Sequence, residues 1–145
     1  MSRTLSEKEY AEVLKINQLF YEALGTRNLH LMRKVWKNDS KAGCVHPGWT
    51  ILRSWEAIMQ SWENVFDPND SVDVKLSDVK VQINGNAAWL TCTQEMIYVN
   101  RNPISFNLSQ ATNIFEKDSS KWLMIIHHAS PIPMRNNNTN YENLQ

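Results

Sequence analysis

Val72-Asp73-Val74-Lys75-Leu76-Ser77-Asp78-Val79-Lys80-Val81-Gln82-Ile83-Asn84-Gly85 alternates apolar and polar residues and then ends on a turn dipeptide. Side chains of an extended chain point to opposite faces in turn, so Val72, Val74 and Leu76, then Val79, Val81 and Ile83, read as half-buried strand. Asn-Gly is the strongest short hairpin signal, because a tight antiparallel turn needs residues that accept positive φ. Asn84-Gly85 therefore joins Val79–Ile83 to a second strand over about Ala87–Val99. Asn100-Arg101-Asn102-Pro103 makes the next turn, Ile104–Glu116 a long strand, Lys117–Ser120 a polar turn, and Lys121–Ser130 the last strand.

Before Ser71 the period is helical. Ser6 and Glu9 have the spacing of a capping box, and Tyr10, Val13, Ile16, Phe20 and Leu24 then recur at helical spacing until Gly25 stops the run. Asn28 caps a short second helix reaching Trp36, with Leu29, Met32, Val35 and Trp36 on one side. A polar connection leads into a short strand, Ala42–His46, and a Pro47-Gly48 turn. Ser54 then caps a third helix whose Trp55, Ile58, Met59, Trp62 and Phe66 form an apolar stripe, closed by Asp67-Pro68-Asn69-Asp70. Helices followed by an antiparallel meander make an α+β fold with the helices on one face of the sheet.

Composition narrows the partners. The 145 residues suit one domain, expected over 1–134, with 135–145 a polar tail lacking apolar spacing. Fifteen basic residues balance fifteen acidic ones, so nothing long-range favours nucleic acid or an anionic membrane. The apolar runs are shorter than a membrane span and Met1-Ser2-Arg3-Thr4 lacks a signal-peptide core, so a cytoplasmic setting is expected. Cys44 and Cys92 are expected as buried free thiols. No metal-ligand spacing or cofactor motif occurs, and the expectation is no cofactor and no metal. Six tryptophans in so short a chain call for a thick aromatic core or an aromatic-walled cavity.

His46-Pro47-Gly48-Trp49 with Leu52, Trp55, Ile58, Ser61 and Trp62 resembles the signature of the SnoaL-like branch of the nuclear transport factor 2-like superfamily. Ala111–Phe115 and Trp122 through His127-His128-Ala129-Ser130-Pro131 resemble its last two strands. The likeness runs over roughly Leu14 to Pro131. It implies a cone-shaped α+β domain, three N-terminal helices on a strongly curved antiparallel sheet, enclosing a cavity and forming a homodimer through the outer sheet face. No single reaction is implied, since similar cones act as isomerases, cyclases, dehydratases or association domains. Ser54 departs from the glycine that relatives commonly carry before Trp55.

Candidate chemistry follows from that cone. His46 ends the strand before the Pro-Gly turn and could act as general acid or base, or could instead bond a backbone carbonyl and hold the turn. His127 and His128 must point to opposite faces. Alternation groups His128 with Trp122, Met124 and Ile126, and the resemblance favours the second histidine, so His128 is assigned to the pocket and His127 to the dimer face. Asp39, after Trp36, is either a base among aromatic walls or a solvated loop acid. Glu95 is catalytic if its strand face is the inner one; if Gln94 lines the cavity instead, the site has an amide and no base there.

Tyr21 and Asn113 could bond a ligand carbonyl, while Trp36, Trp49, Trp55, Trp62, Trp89 and Trp122 are the aromatic wall candidates or plain core. Two functions follow: a homodimeric cone binding a small, mostly apolar molecule, with proton-transfer catalysis as an extension, or a non-catalytic association domain resembling that of calcium/calmodulin-dependent kinase II. An open aromatic pocket of about 300 Å3 or more with an inward histidine and acid favours the first, and a cone filled by Trp36, Trp55 and Trp62 sinks it.

Overall fold

The computed structural model describes residues 5–133; the expected signal-free start at residues 1–4 and the polar tail at 135–145 lie outside them. Helix α1 spans Leu5–Thr26, α2 Leu29–Val35, strand β1 Gly43–Val45, β2 Leu52–Arg53, α3 Trp55–Val65, β3 Val72–Asn84, β4 Ala87–Tyr98, β5 Ser105–Asp118 and β6 Lys121–Pro131. The strands form one sheet in the order β2-β1-β6-β5-β4-β3, antiparallel except for the β1–β6 pair. The three helices and the long meander were legible in the sequence; β2, only two residues long, carries too little pattern to be read.

Local departures have identifiable causes. Ser6 lies inside α1 and does not cap it, Glu7 supplying the acid that suits a helix start. Gly25 does not stop α1 either: the helix runs to Thr26 and Arg27, at φ 59, takes the left-handed turn that ends it. Asn28 caps α2 by accepting from the Leu31 amide at 3.0 Å. Ser54 caps α3 from φ 80, accepting from the Ala57 amide at 3.3 Å. A backbone at positive φ favours glycine, and the cap offsets the strain in serine.

Two bulges set which residues face inward. In β3, Ser77 pairs with Thr93 but Lys80 pairs with Thr91, so one residue is extra; Asp78 sits there at φ 52. The shift explains why the apolar alternation moves from even positions, Val72–Leu76, to odd ones, Val81 and Ile83. In β6 the partners of Ile114 and Phe115 are Ile126 and Met124, so Ile125 is the extra residue. Helix α1 lays Val13, Phe20 and Leu24 on the inner face, where Leu90, Phe115, Met124 and Trp122 complete the core with Met32, Ile58 and Trp62.

Candidate functional site

The β6 bulge decides the histidines. Trp122 and Met124 point inward, the extra residue at Ile125 absorbs one step, and the inward position after it is His127. His127 is 1% exposed, whereas His128 faces outward and is exposed. The assignment of His128 to the pocket is thereby corrected: plain alternation holds within each half of the strand and fails across the bulge.

His127 lines a cavity of about 250 Å3 together with His46, Trp49, Trp62, Gln94 and Ser109. At its more exposed end stand Arg27, Asp70, Tyr98 and Arg101. His46 is 5% exposed and packs edge-on against Trp49 and Trp62, with ring centroids 4.7 and 4.5 Å away. Its Nε2 lies 2.8 Å from Ser61 Oγ, and that hydroxyl donates its one proton to the Ile58 carbonyl at 2.6 Å. Ser61 can then only accept from His46, which places the ring proton on Nε2 and leaves Nδ1 as the lone-pair nitrogen. Burial lowers the proton affinity of His46 to a pKa of about 4.

A second network fixes His127. Asn113 spends its amide protons on Asn17 Oδ1 at 2.9 Å and on the Tyr21 hydroxyl at 3.2 Å, so its Oδ1 accepts from His127 Nδ1 at 2.6 Å. Tyr21 passes its own proton to Gln94 Oε1 at 2.8 Å, leaving the Gln94 NH2 as donor. His127 therefore keeps a lone pair on Nε2. Burial first, then the neighbouring His46 and His128, lowers its pKa to about 3. Tyr21, pushed well above its usual value chiefly by burial, stays a neutral phenol. The wall of the cavity thus offers two acceptor nitrogens and one amide donor, each oriented from behind by buried partners.

The other candidates fall elsewhere. Glu95 is on the outer face of β4 and Gln94 on the inner one, so the site has the amide and no carboxylate at this register. Asp39 shapes its loop: its carboxylate accepts from the Lys41 amide at 2.7 Å and its carbonyl from Ala42 and Trp55 at 3.2 Å. Tyr21 and Asn113 stand one layer behind the cavity and orient Gln94 and His127. Of the tryptophans, Trp49 and Trp62 line the cavity; Trp36 and Trp122 are core, Trp55 packs against that core, and Trp89 is 40% exposed on the outer face.

The sequence left Gln94 open as the lining amide, and its reading overlooked Ser61 as more than a signature residue, Arg27 and Ser109 altogether, and Asp70 and Arg101 as anything beyond turn residues. No local signal marks the last four, which come together only through the fold. Among the described residues, no three His, Cys, Asp or Glu side chains are grouped to hold a metal ion, and no helix is long and apolar enough to cross a membrane.

Comparison with known proteins agrees with this architecture. The SnoaL-like domain model matches residues 13–135. The F-box protein SKIP8 of Arabidopsis thaliana is 26% identical over 118 residues, 81% of this chain, which spans about half (48%) of that relative's length. A Streptomyces avermitilis structure described as a candidate dehydratase of the NTF2-like family superposes with a TM-score of 0.81 at 27% identity, covering 89% of this chain and 99% of that one. The association domain of C. elegans CaMKII superposes at 0.70 with 18% identity, covering 86% and 96%, a likeness of fold alone.

Proposed function

The chain belongs to the SnoaL-like domain family, within the NTF2-like fold, and on that footing we propose that it is a homodimeric cone binding a small organic molecule in the His46–His127 cavity. One observation carries this reading: two buried imidazoles whose tautomers are held by internal hydrogen bonds line one cavity of about 250 Å3. That volume falls short of the about 300 Å3 expected from the sequence and of the usual range for drug-sized ligands, and it suits only a compact one. An amide donor and two ring nitrogens stand in one wall with Trp49, Trp62, Val65 and Met96, which lets a ligand pair polar groups and pack apolar ones at once.

Catalysis is the natural extension. A ligand carbonyl bonded by the Gln94 amide would have its neighbouring C–H acidified, His127 Nε2 would take that proton, and the imidazolium would return it at another atom of the same molecule. No proton or electron is gained or lost overall. Burial disfavours the imidazolium and makes His127 a weak base, so this step depends on the Gln94 amide stabilising the developing oxyanion. The dehydratase description of the S. avermitilis relative belongs to the same broad class of proton transfers.

The test is a crystal structure of protein purified from its native host, together with a fragment screen by ligand-observed NMR. Binders that His46→Gln and His127→Gln weaken while the fold persists support the reading. A library-wide absence of binders, with the cavity empty of bound organic molecules, would sink it.

A second reading, an association domain, is favoured by the outer sheet face. Trp89, Ile114 and Ile126 lie in register across β4, β5 and β6, and Ile97 stands beside the exposed Phe106. The same row is the surface we assign to the homodimer. Sedimentation of Trp89→Glu separates the two roles: a monomer that keeps ligand binding fits the cone, and a self-associating wild type with no ligand fits association alone.

A further inference from the structure

Arg27 is the least satisfied charged group beside the cavity. Its side chain is 11% exposed, yet its guanidinium makes no hydrogen bond to another described residue and its Nε is buried without a partner. What it touches is an ion-pair partner, Asp70, at 3.5 Å, and the Phe66 ring, 5.6 Å from Cζ. Asp70 is already engaged by Arg101 in a two-pronged pair, Nε to Oδ1 at 3.2 Å and Nη2 to Oδ2 at 2.9 Å. Arg101 is in turn stacked 3.8 Å over Tyr98. The Asp70 carboxylate therefore serves two guanidiniums, Asp67 adds its negative charge on the Arg101 side, and the donors of Arg27 stay largely unused.

A nearly buried guanidinium with five N–H donors and one distant partner is a poor arrangement for stability alone. It is a good arrangement for a planar anion, which takes two parallel N–H bonds from an Arg fork. Only one guanidinium is left with unused donors, which suits a single carboxylate. Trp62, Val65 and Met96 supply apolar wall between the arginine end and the imidazole end. We propose that the cavity takes a small organic carboxylate on a compact apolar body, its acid held by Arg27 beside Arg101 and its far end directed to His127 and Gln94. This rests on the cavity being the ligand site.

The experiment compares two probes of one shape, phenylacetate and phenylacetamide, titrated at low salt into the full chain, with the Arg Nε–Hε signals followed by NMR. Phenylacetate is expected to bind about tenfold more tightly, to move the Arg27 signal, and to lose its advantage as salt rises. Arg27→Gln should bring the two affinities together, phenylacetate losing much more than phenylacetamide. Arg27→Lys, which keeps charge without the fork, should retain part of the preference and guards against a variant that merely misfolds. Equal affinity of the two probes in the wild type, or an acid preference that survives Arg27→Gln, overturns the proposal. Absence of binding by both overturns it too, and neutral fragments that still bind in a His127-dependent way would leave the small-molecule reading standing.

Discussion

His127 Nδ1 lies 2.6 Å from Asn113 Oδ1, and both residues are sealed from solvent, at 1% and 0% exposure. Because Asn113 spends both amide protons on Asn17 and Tyr21, it presents only an acceptor to the ring and dictates which nitrogen faces the cavity.

Asn113→Asp exchanges that neutral acceptor for a carboxylate against the same nitrogen. An opposite charge at hydrogen-bond distance favours the imidazolium, so the pKa of His127 should rise from about 3 toward neutrality. Two-dimensional NMR of the His ring protons over a pH series measures it. An unmoved titration would show that Asn113 does not orient the ring.

Truncation of the adjacent histidines should be unequal. His127→Ala leaves Asn113 Oδ1 buried without its donor and opens a void, costing about 2–4 kcal/mol. His128→Ala removes an exposed side chain and should cost no more than about 0.5 kcal/mol. Urea unfolding gives both numbers, and the reverse order would mean that the β6 bulge is misplaced.

Acid should destabilise the fold well above the range where carboxylates titrate. Both His46 and His127 are neutral in the folded chain, with pKa values of about 4 and about 3, against about 6.5 when unfolded. The unfolded chain therefore binds more protons below pH 6.5, so stability is full above that value and falls steadily as pH drops toward 4. Unfolding midpoints at pH 7.5, 6.5, 5.5 and 5 would trace the decline, which His46→Gln and His127→Gln should each flatten. A flat wild-type profile between pH 6.5 and 5 contradicts the burial of neutral imidazoles.

Ser54 separates cap from strain. Ser54→Ala loses the hydrogen bond to the Ala57 amide and keeps a non-glycine residue at φ 80, so a loss of about 1–2 kcal/mol is expected. Ser54→Gly loses the same bond but relaxes the backbone, and should come within about 0.5 kcal/mol of the wild type. Thermal unfolding of the pair decides it: equal losses would mean that the positive φ costs nothing here.

Much of the fold could be read without coordinates because its signals are local. Alternation over Val72–Ile83, the Gly85 turn and the helical stripe from Trp55 to Phe66 each lie within a dozen or so neighbouring residues. His46 and Trp62 were legible for the same reason, as members of one short motif that spans a strand, a turn and a helix. In the thirteen-residue strand β3 the apolar positions change from even to odd around Asp78, which reads from sequence only as two successive runs and is a bulge once paired with β4.

The sequence alone determined the α+β order, the helix faces and the adjacency of two histidines that must point opposite ways. Which histidine entered the cavity was a tertiary decision, because the extra residue at Ile125 exists only relative to β5 and leaves no mark in an apolar run such as Leu123-Met124-Ile125-Ile126. The convergence of Arg27, Asp70 and Arg101 was likewise decided by the sheet and helix ends that bring them together. Hydrogen-bond direction at His46 and His127 came last, fixed by Ser61 and Asn113 from other elements of the fold. Local periodicity records which face a residue occupies within one element, whereas the chemistry of this cavity depends on partners that only packing supplies.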